Sequence, residues 1–174
     1  TIYDWVDAMK DSVFVDTAPY VGLQYCGISW ESAFITTQYH LYQYYKDTAI
    51  ISAMYALDLQ WMEKAARIHP EGMVHKGLAD HESLQAVPVE LTGTTHYLQC
   101  ARIMQKFAAL MGDKVHEKQF GQLANKLTTM LADTFWKRPW AKPINKQTLF
   151  ATLLYHDIIP PQDINAAIDS LRAA

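Results

Sequence analysis

Apolar residues recur at helical spacing along most of the chain. Over residues 30–46 they fall three and four positions apart, which predicts a helix with a wide apolar face. Asp47 interrupts this pattern as a helix cap does, and a second helix is predicted over about 48–68. The second helix is predicted to end before Pro70 and Gly72, because both residues disfavour continuation.

The same pattern predicts further helices joined by very short turns. They cover about 88–111, 114–136, 147–156 and 160–173. Short turns between helices are typical of antiparallel hairpins. The sequence therefore predicts three hairpins, over about 30–68, 88–136 and 147–173.

The remaining residues add little regular structure. Residues 1–11 are predicted to be the end of an amphipathic helix, and short extended pieces are predicted only near 13–15 and 21–25. The chain is thus interpreted as all-α, with a single helical domain over 1–174.

The first helices of the three pairs begin at regular intervals. Trp30, Val89 and Thr148 open them at successive intervals of 59 residues. This period is longer than the ~34 residues of a tetratricopeptide hairpin or the ~40–47 of a HEAT repeat. Long connections between hairpins suit an α/α barrel of inner and outer helices, in which every inner helix starts at the same end. Loops that enter those starts would then converge on one rim.

Composition narrows the class of protein. Half of the 174 residues are hydrophobic and 12% are aromatic, which excludes a disordered chain. The formal charge of −3, with signs mixed along the chain, argues against a nucleic-acid partner. No apolar run approaches the ~18–20 residues of a membrane span, so no membrane partner is predicted. Cys26 and Cys100 are too few for a disulfide framework and are predicted to be buried thiols.

Polar residues cluster where the inner helices are predicted to begin. Carboxylates and amides bind hydroxyl groups, and a tryptophan stacks on the apolar face of a sugar ring. Paired carboxylates also perform acid–base chemistry on glycosidic bonds, for which Glu31 and Glu82 are weak candidates. We therefore expect a carbohydrate site lined by Trp30, Glu31, Asp80, His81, Glu82, Glu90 and Gln147, beside Ser29 and Thr148.

Plainer roles exist for several of these residues. Glu31 and Glu90 fall in first helical turns, where the helix dipole favours an acid, and Trp30 would also fit a core position. Asp80 would also serve as a turn or helix cap, and the charged run 80–83 as a solvated loop.

Two other groups of residues invite a functional interpretation. The histidines at 69, 75 and 81 match no compact metal-ligand spacing, so no metal or cofactor is predicted. The run Trp136, Lys137, Arg138 with Trp140 would either contact an anion or form a solvated loop with aromatic anchors.

Several stretches resemble the helical catalytic domain of α-L-rhamnosidases, the six-hairpin glycosidase type. Residues 28–33 with 42–48 are similar to that family's P-A-W-G-D-A … L-Y-x-x-Y-G-D-T helix, and 77–81 resemble its G-L-G-D-W loop. Segments 15–20, 89–94 and 147–149 resemble further family segments in the same order, the last of them a Q-T-A motif. The similarity covers almost the whole chain.

This resemblance implies an (α/α)6 barrel of which the chain forms about half. It also implies inverting hydrolysis of terminal α-L-rhamnosides or a related sugar, with one carboxylic acid and one carboxylate flanking the bond. In the family, the general acid lies on a segment before the part matched here, and the general base lies on a segment after it. The chain would then be a central fragment with neither catalytic carboxylate, and inactive alone.

Two positions depart from the family pattern. The aspartate of P-A-W-G-D-A falls at Ser32 and the tryptophan of the loop falls at His81, whereas Trp30 and Asp80 match directly. These changes concern residues that would contact the sugar, so they bear on which sugar is bound.

The sequence leaves other functions open. One alternative is a helical-hairpin scaffold that binds a protein partner, and another is a barrel that binds glycans without catalysis. A fragment of a barrel would contact the rest of that barrel, or associate with itself, through exposed apolar ends. The start at Thr1 predicts a cut or processed chain, and the resemblance implies a secreted or periplasmic parent.

Overall fold

The computed structural model describes residues 2–9, 12–17, 22–80, 83–138 and 140–174. Over these ranges the chain forms eight α-helices and no extended strand, which confirms the all-α class. The helices are α1 (Ile2–Ala8), α2 (Ile28–Glu31), α3 (Ala33–Tyr45), α4 (Ala49–Ile68), α5 (Val89–Leu110), α6 (Lys114–Leu131), α7 (Lys146–Tyr155) and α8 (Ile164–Arg172). None of them is long and apolar enough to cross a bilayer.

Three departures from regular helices were not predicted. The helix expected from residue 30 is divided at Ser32 into α2 and α3. The last five residues expected in α6, Ala132–Trp136, form a π-helical turn. A 3₁₀ turn over Pro161–Asp163 precedes α8. The predicted extended pieces are irregular over 12–17 and 22–27, and Val21 lies outside the described residues.

Local chemistry fixes where the helices begin and end. The Asp113 carboxylate accepts a hydrogen bond from the His116 backbone N–H at 3.1 Å and caps α6. The Asn145 amide oxygen accepts one from the Thr148 N–H at 3.0 Å and caps α7. Lys46 ends α3 in the left-handed region with φ of 56°. The ends at Lys46 and Asp113 produce the short connections that the sequence predicts.

The core is built around α5. This helix contacts α2, α3, α4, α6 and α7, and it packs along α6 for most of its length. Leu91, Leu98, Met104 and Phe107 are fully buried on α5, and Trp61 is fully buried on α4. A helix buried on most of its sides is expected for the inner layer of an α/α barrel. The first turns of α2, α5 and α7 lie at one end of the structure, where hydrogen bonds to one loop connect them.

Candidate functional site

A single loop joins the starts of α2 and α5. The Leu78 backbone N–H donates to the Cys26 carbonyl at 2.7 Å. The Leu78 carbonyl in turn accepts hydrogen bonds from the hydroxyls of Ser29 and Thr92, each at 3.1 Å. Because Ser29 belongs to α2 and Thr92 to α5, the loop holds both first turns in a fixed relation.

Two glycines allow this loop to approach α2 so closely. Gly27 has φ of 102° and Gly77 has φ of 143°, values that favour glycine. A Cβ on Gly27 would lie 2.4 Å from the Gly77 Cα, a distance that real side chains do not occupy. The backbone contact therefore requires glycine at position 27.

The same connection reaches α7. The Thr148 hydroxyl donates to the Asp80 carboxylate at 3.1 Å. Just beyond, the Asn145 backbone N–H donates to the Ala86 carbonyl at 2.9 Å, and its side-chain amide lies 3.3 Å from the Ser83 hydroxyl. The segment between α4 and α5 thus connects α2, α5 and α7, and we call residues 29, 78, 80, 92 and 148 the rim.

The structure brings part of the predicted residue set to this rim. Asp80 and Gln147 are exposed, and the Trp30 side chain is 45% exposed. Glu90 is half-buried, with its Oε1 atom 3.3 Å from His75 Nδ1. Trp30 is therefore not a core residue. Two more predicted residues, His81 and Glu82, lie outside the described residues.

Glu31 occupies a different environment from the rest of the set. Its side chain is fully buried, and its Oε1 atom accepts a hydrogen bond from the Val15 backbone N–H at 3.3 Å. Burial raises the pKa of this carboxyl to about 7, although the Val15 N–H opposes the rise. The contact anchors segment 12–17 to α2. A role in binding sugar stays a prediction for Glu31, and its burial does not favour one.

A histidine not selected from the sequence lies beside Ser32. The Ser32 hydroxyl is 3.2 Å from His96 Nδ1, and burial lowers the pKa of His96. His96 follows Thr92 by four residues and so shares a face of α5 with it. That spacing was available in the sequence. The Ser32 hydroxyl is thus paired with an imidazole.

A cavity opens next to Glu90. It has a volume of about 380 Å³ and is lined by Ala86, Val87, Pro88, Glu90, Trp140, Lys142 and Pro143. Glu90 is thus on its wall together with an aromatic side chain. No pattern in the sequence indicates this pairing, because Trp140 follows Glu90 by fifty residues.

The two cysteines differ in burial. Cys100 is buried as predicted, whereas Cys26 is half-buried, and both are free thiols. In the part of the chain that the structure describes, no three His, Cys, Asp or Glu side chains lie close enough together to hold a metal ion.

Comparisons with known proteins indicate a family for this chain. The model of the bacterial alpha-L-rhamnosidase six-hairpin glycosidase domain matches residues 1–174. Comparison with curated proteins returns no match.

Two solved structures share the fold. The alpha-L-rhamnosidase from Dictyoglumus thermophilum is 24% identical with a TM-score of 0.87, over 98% of this chain and 20% of that protein. The Streptomyces avermitilis alpha-L-rhamnosidase complexed with L-rhamnose is 19% identical with a TM-score of 0.85, over 99% of this chain and 17% of that protein. The helical-hairpin arrangement fits the toroid that the sequence predicts. Because the family model matches the whole length of the chain, the chain belongs to the bacterial α-L-rhamnosidase six-hairpin glycosidase domain family.

Proposed function

We propose that this chain supplies part of the sugar-binding surface of a glycoside hydrolase that cleaves terminal α-L-rhamnosides, or a closely related sugar, with inversion. The observation that carries the proposal is the Thr148–Asp80 hydrogen bond of 3.1 Å. It fixes a carboxylate of the loop on the first turn of α7, at the end of the fold where α2 and α5 also begin. Family membership supplies the reaction class.

The exposed residues on and beside the rim suit a deoxy sugar. L-Rhamnose offers hydroxyl groups together with a methyl group, so its binding site needs both polar and apolar surface. The Asp80 carboxylate and the Gln147 amide are exposed hydrogen-bonding groups, and Trp30 offers apolar surface on which a ring stacks. Glu90 adds an acceptor at the neighbouring cavity. The structural neighbour from Streptomyces avermitilis, which is complexed with L-rhamnose, supports this choice of sugar.

Inverting hydrolysis needs two carboxyl groups roughly 6.5–9.5 Å apart. One protonates the leaving oxygen, and the other removes a proton from a water that attacks the anomeric carbon from the opposite face. We assign neither role to Trp30, Asp80, Glu90 or Gln147, which bind the sugar. The burial of Glu31 disfavours direct contact with substrate, so the catalytic pair is proposed to come from elsewhere in the parent protein that carries this chain.

The test uses the parent protein with p-nitrophenyl α-L-rhamnopyranoside. Asp80→Ala should lower kcat/KM by about tenfold to a hundredfold, the effect of losing a hydrogen bond to a charged group. Thr148→Val should cause a smaller loss, because it removes only the hydroxyl that holds Asp80. Asp169→Ala is the matched control, since Asp169 is an exposed carboxylate on α8.

The stereochemistry is read by proton NMR of the first sugar released. A β-anomeric product supports inversion, and an α-anomeric product contradicts it. Full activity of Asp80→Ala would remove Asp80 from the site. A parent that binds L-rhamnose without hydrolysing rhamnosides would instead be a glycan-binding barrel, and one that does neither would favour the protein-binding scaffold.

A further inference from the structure

A second cavity lies where the π-helical turn meets the start of α7. Its volume is about 590 Å³, within the ~300–1,000 Å³ typical of ligand pockets. Its wall includes Phe135, Trp136, Arg138, Trp140, Lys142 and Lys146. Its chemistry differs from that of the rim, because cations and aromatic rings replace the carboxylates.

The charge on this wall has one sign. Arg138, Lys142 and Lys146 line the cavity, and none of its described lining residues is acidic. Two carboxylates on nearby elements already have hydrogen-bond donors. Asp163 accepts a hydrogen bond from the Trp136 indole N–H at 2.8 Å, and Asp133 accepts one from the Lys137 ammonium group at 2.7 Å. Three cationic side chains on one wall, with no carboxylate among its described lining residues, favour an anionic ligand.

The aromatic side chains are held in place by their neighbours. Phe135 stacks on Trp140 with ring centroids 4.7 Å apart, and Trp136 meets Phe150 edge-on at 6.4 Å. Fixed indole rings provide flat apolar surface of the kind on which a sugar ring packs. A small inorganic anion would leave this surface without a partner, whereas an anionic sugar would use both the rings and the cations.

The backbone that carries these residues is itself unusual. The Lys137 N–H donates to the Ala132 carbonyl at 2.9 Å, five residues back, which closes the π-helical turn. Such turns add a residue to a helix and re-aim the side chains that follow, and they are frequent at functional sites. Here the turn ends at Trp136, two residues before Arg138 and four residues before Trp140.

We propose that this cavity binds a hexuronate residue of an acidic glycan. The Arg138 guanidinium and the Lys142 and Lys146 ammonium groups would receive the carboxylate, and the tryptophans would receive the ring. The cavity shares Trp140, Lys142 and Pro143 with the cavity that contains Glu90, so the two sites adjoin. The inference rests on the proposed function to this extent: the uronate would neighbour the rhamnoside that is cleaved.

The test measures binding rather than hydrolysis, so it stands apart from the test of the rhamnosidase activity. The methyl glycosides of D-galacturonate and D-glucuronate are titrated into the parent protein, and binding is followed by NMR. Each is compared with the neutral methyl hexoside, which carries a hydroxymethyl group in place of the carboxylate. At least one uronide should bind about tenfold more tightly than its neutral partner, and 0.5 M NaCl should reduce this advantage.

The variant Arg138→Gln/Lys142→Gln/Lys146→Gln should remove the preference for the uronide. All three side chains are exposed, so the change should leave the fold intact. The matched control, Lys114→Gln/Lys118→Gln/Lys126→Gln on α6, makes the same change in charge on another exposed surface and should keep the preference.

Three results would overturn the proposal. The first is that both uronides bind no more tightly than their neutral hexosides. The second is that the two triple variants lose the preference for the uronide equally. The third is that inorganic phosphate binds as tightly as the uronides do. If a uronide binds as expected but rhamnosides are not hydrolysed, the failure lies with the proposed activity and not with this site.

Discussion

Asp58 is the residue whose charge the fold accommodates least well. It is fully buried on α4, where the Gln38 amide donates to its Oδ1 atom at 2.8 Å. Among the described residues, its Oδ2 atom and Gln38 Oε1 have no hydrogen-bond partner. Burial raises the pKa of Asp58 from 3.8 to about 7, and the bond from Gln38 only partly opposes the rise. The folded state therefore favours the neutral acid.

Asp58→Asn should stabilise the protein in a pH-dependent way. Because the folded pKa lies above the unfolded value, Asp58 lowers the free energy of unfolding progressively as pH rises from about 4 to about 7. The neutral amide avoids this loss, so the gain should be small at pH 4 and on the order of 4 kcal/mol at pH 8. Urea unfolding of both proteins at pH 4, 6 and 8 measures it.

Comparing variant with wild type at each pH removes the contribution of His156. Burial lowers the pKa of that histidine to about 4, so its contribution to stability is lost as pH falls below its ordinary value. Asp169→Asn, an exposed control, should change little at any pH. A gain from Asp58→Asn that is the same at pH 4 and pH 8 would show that ionisation of Asp58 is not its cause.

At the scale of single elements, α7 is the helix on which the rim depends most directly. Asn145 caps it through Thr148, and Thr148 holds Asp80. α7 has ten residues, and isolated helices shorter than ~12–15 residues are marginal in water. Its first turn therefore owes its order to the cap and to the packing of Leu149 and Leu153.

Asn145→Ala should lower the free energy of unfolding by about 1 kcal/mol, the usual effect of losing an N-cap. Asn145→Asp keeps the acceptor for the Thr148 N–H and should retain most of the stability. Asn125→Ala, at an exposed position inside α6, should be neutral or slightly stabilising because alanine favours helix. Thermal unfolding followed by circular dichroism compares the three, and equal losses for Asn145→Ala and Asn145→Asp would contradict a capping role.

At the scale of the whole molecule, one end of the inner layer exposes large apolar side chains. Tyr44 and Tyr45 at the end of α3 are 80% and 77% exposed, and Leu110 and Met111 are exposed at the end of the neighbouring α5. The chain spans 20% and 17% of its two solved neighbours. A barrel fragment is predicted to expose surface of this kind, which the rest of its barrel would cover.

The isolated 174-residue chain should therefore bind a dye that reports apolar surface and should self-associate. Tyr44→Ser/Tyr45→Ser should reduce both effects with little change in unfolding midpoint, since both side chains are largely exposed. Tyr3→Ser on α1 removes an exposed tyrosine elsewhere and serves as the control. Fluorescence titration and light scattering measure the result. A monomer that binds no dye would favour a self-contained scaffold.

The sequence by itself determined the helical architecture and the family. Apolar spacing of three and four residues marks the buried stripe of each helix, and Pro70 and Gly72 mark a break, because these signals act within a few residues. The order of short motifs around Trp30 and Asp80 carried the family resemblance. The idea that inner-helix starts converge also followed from length and topology, and it located the region of the rim.

Only the tertiary structure decided how adjacent residues divide between core and surface. Trp30 is half exposed and Glu31 fully buried, although both fit either role in the sequence. The Gly27–Gly77 approach and the walls of the two cavities join residues distant in the chain. Periodicity reports which face of a helix is apolar, but not which loop packs against its end. That choice depends on long-range contacts, which form only when the helices are packed together.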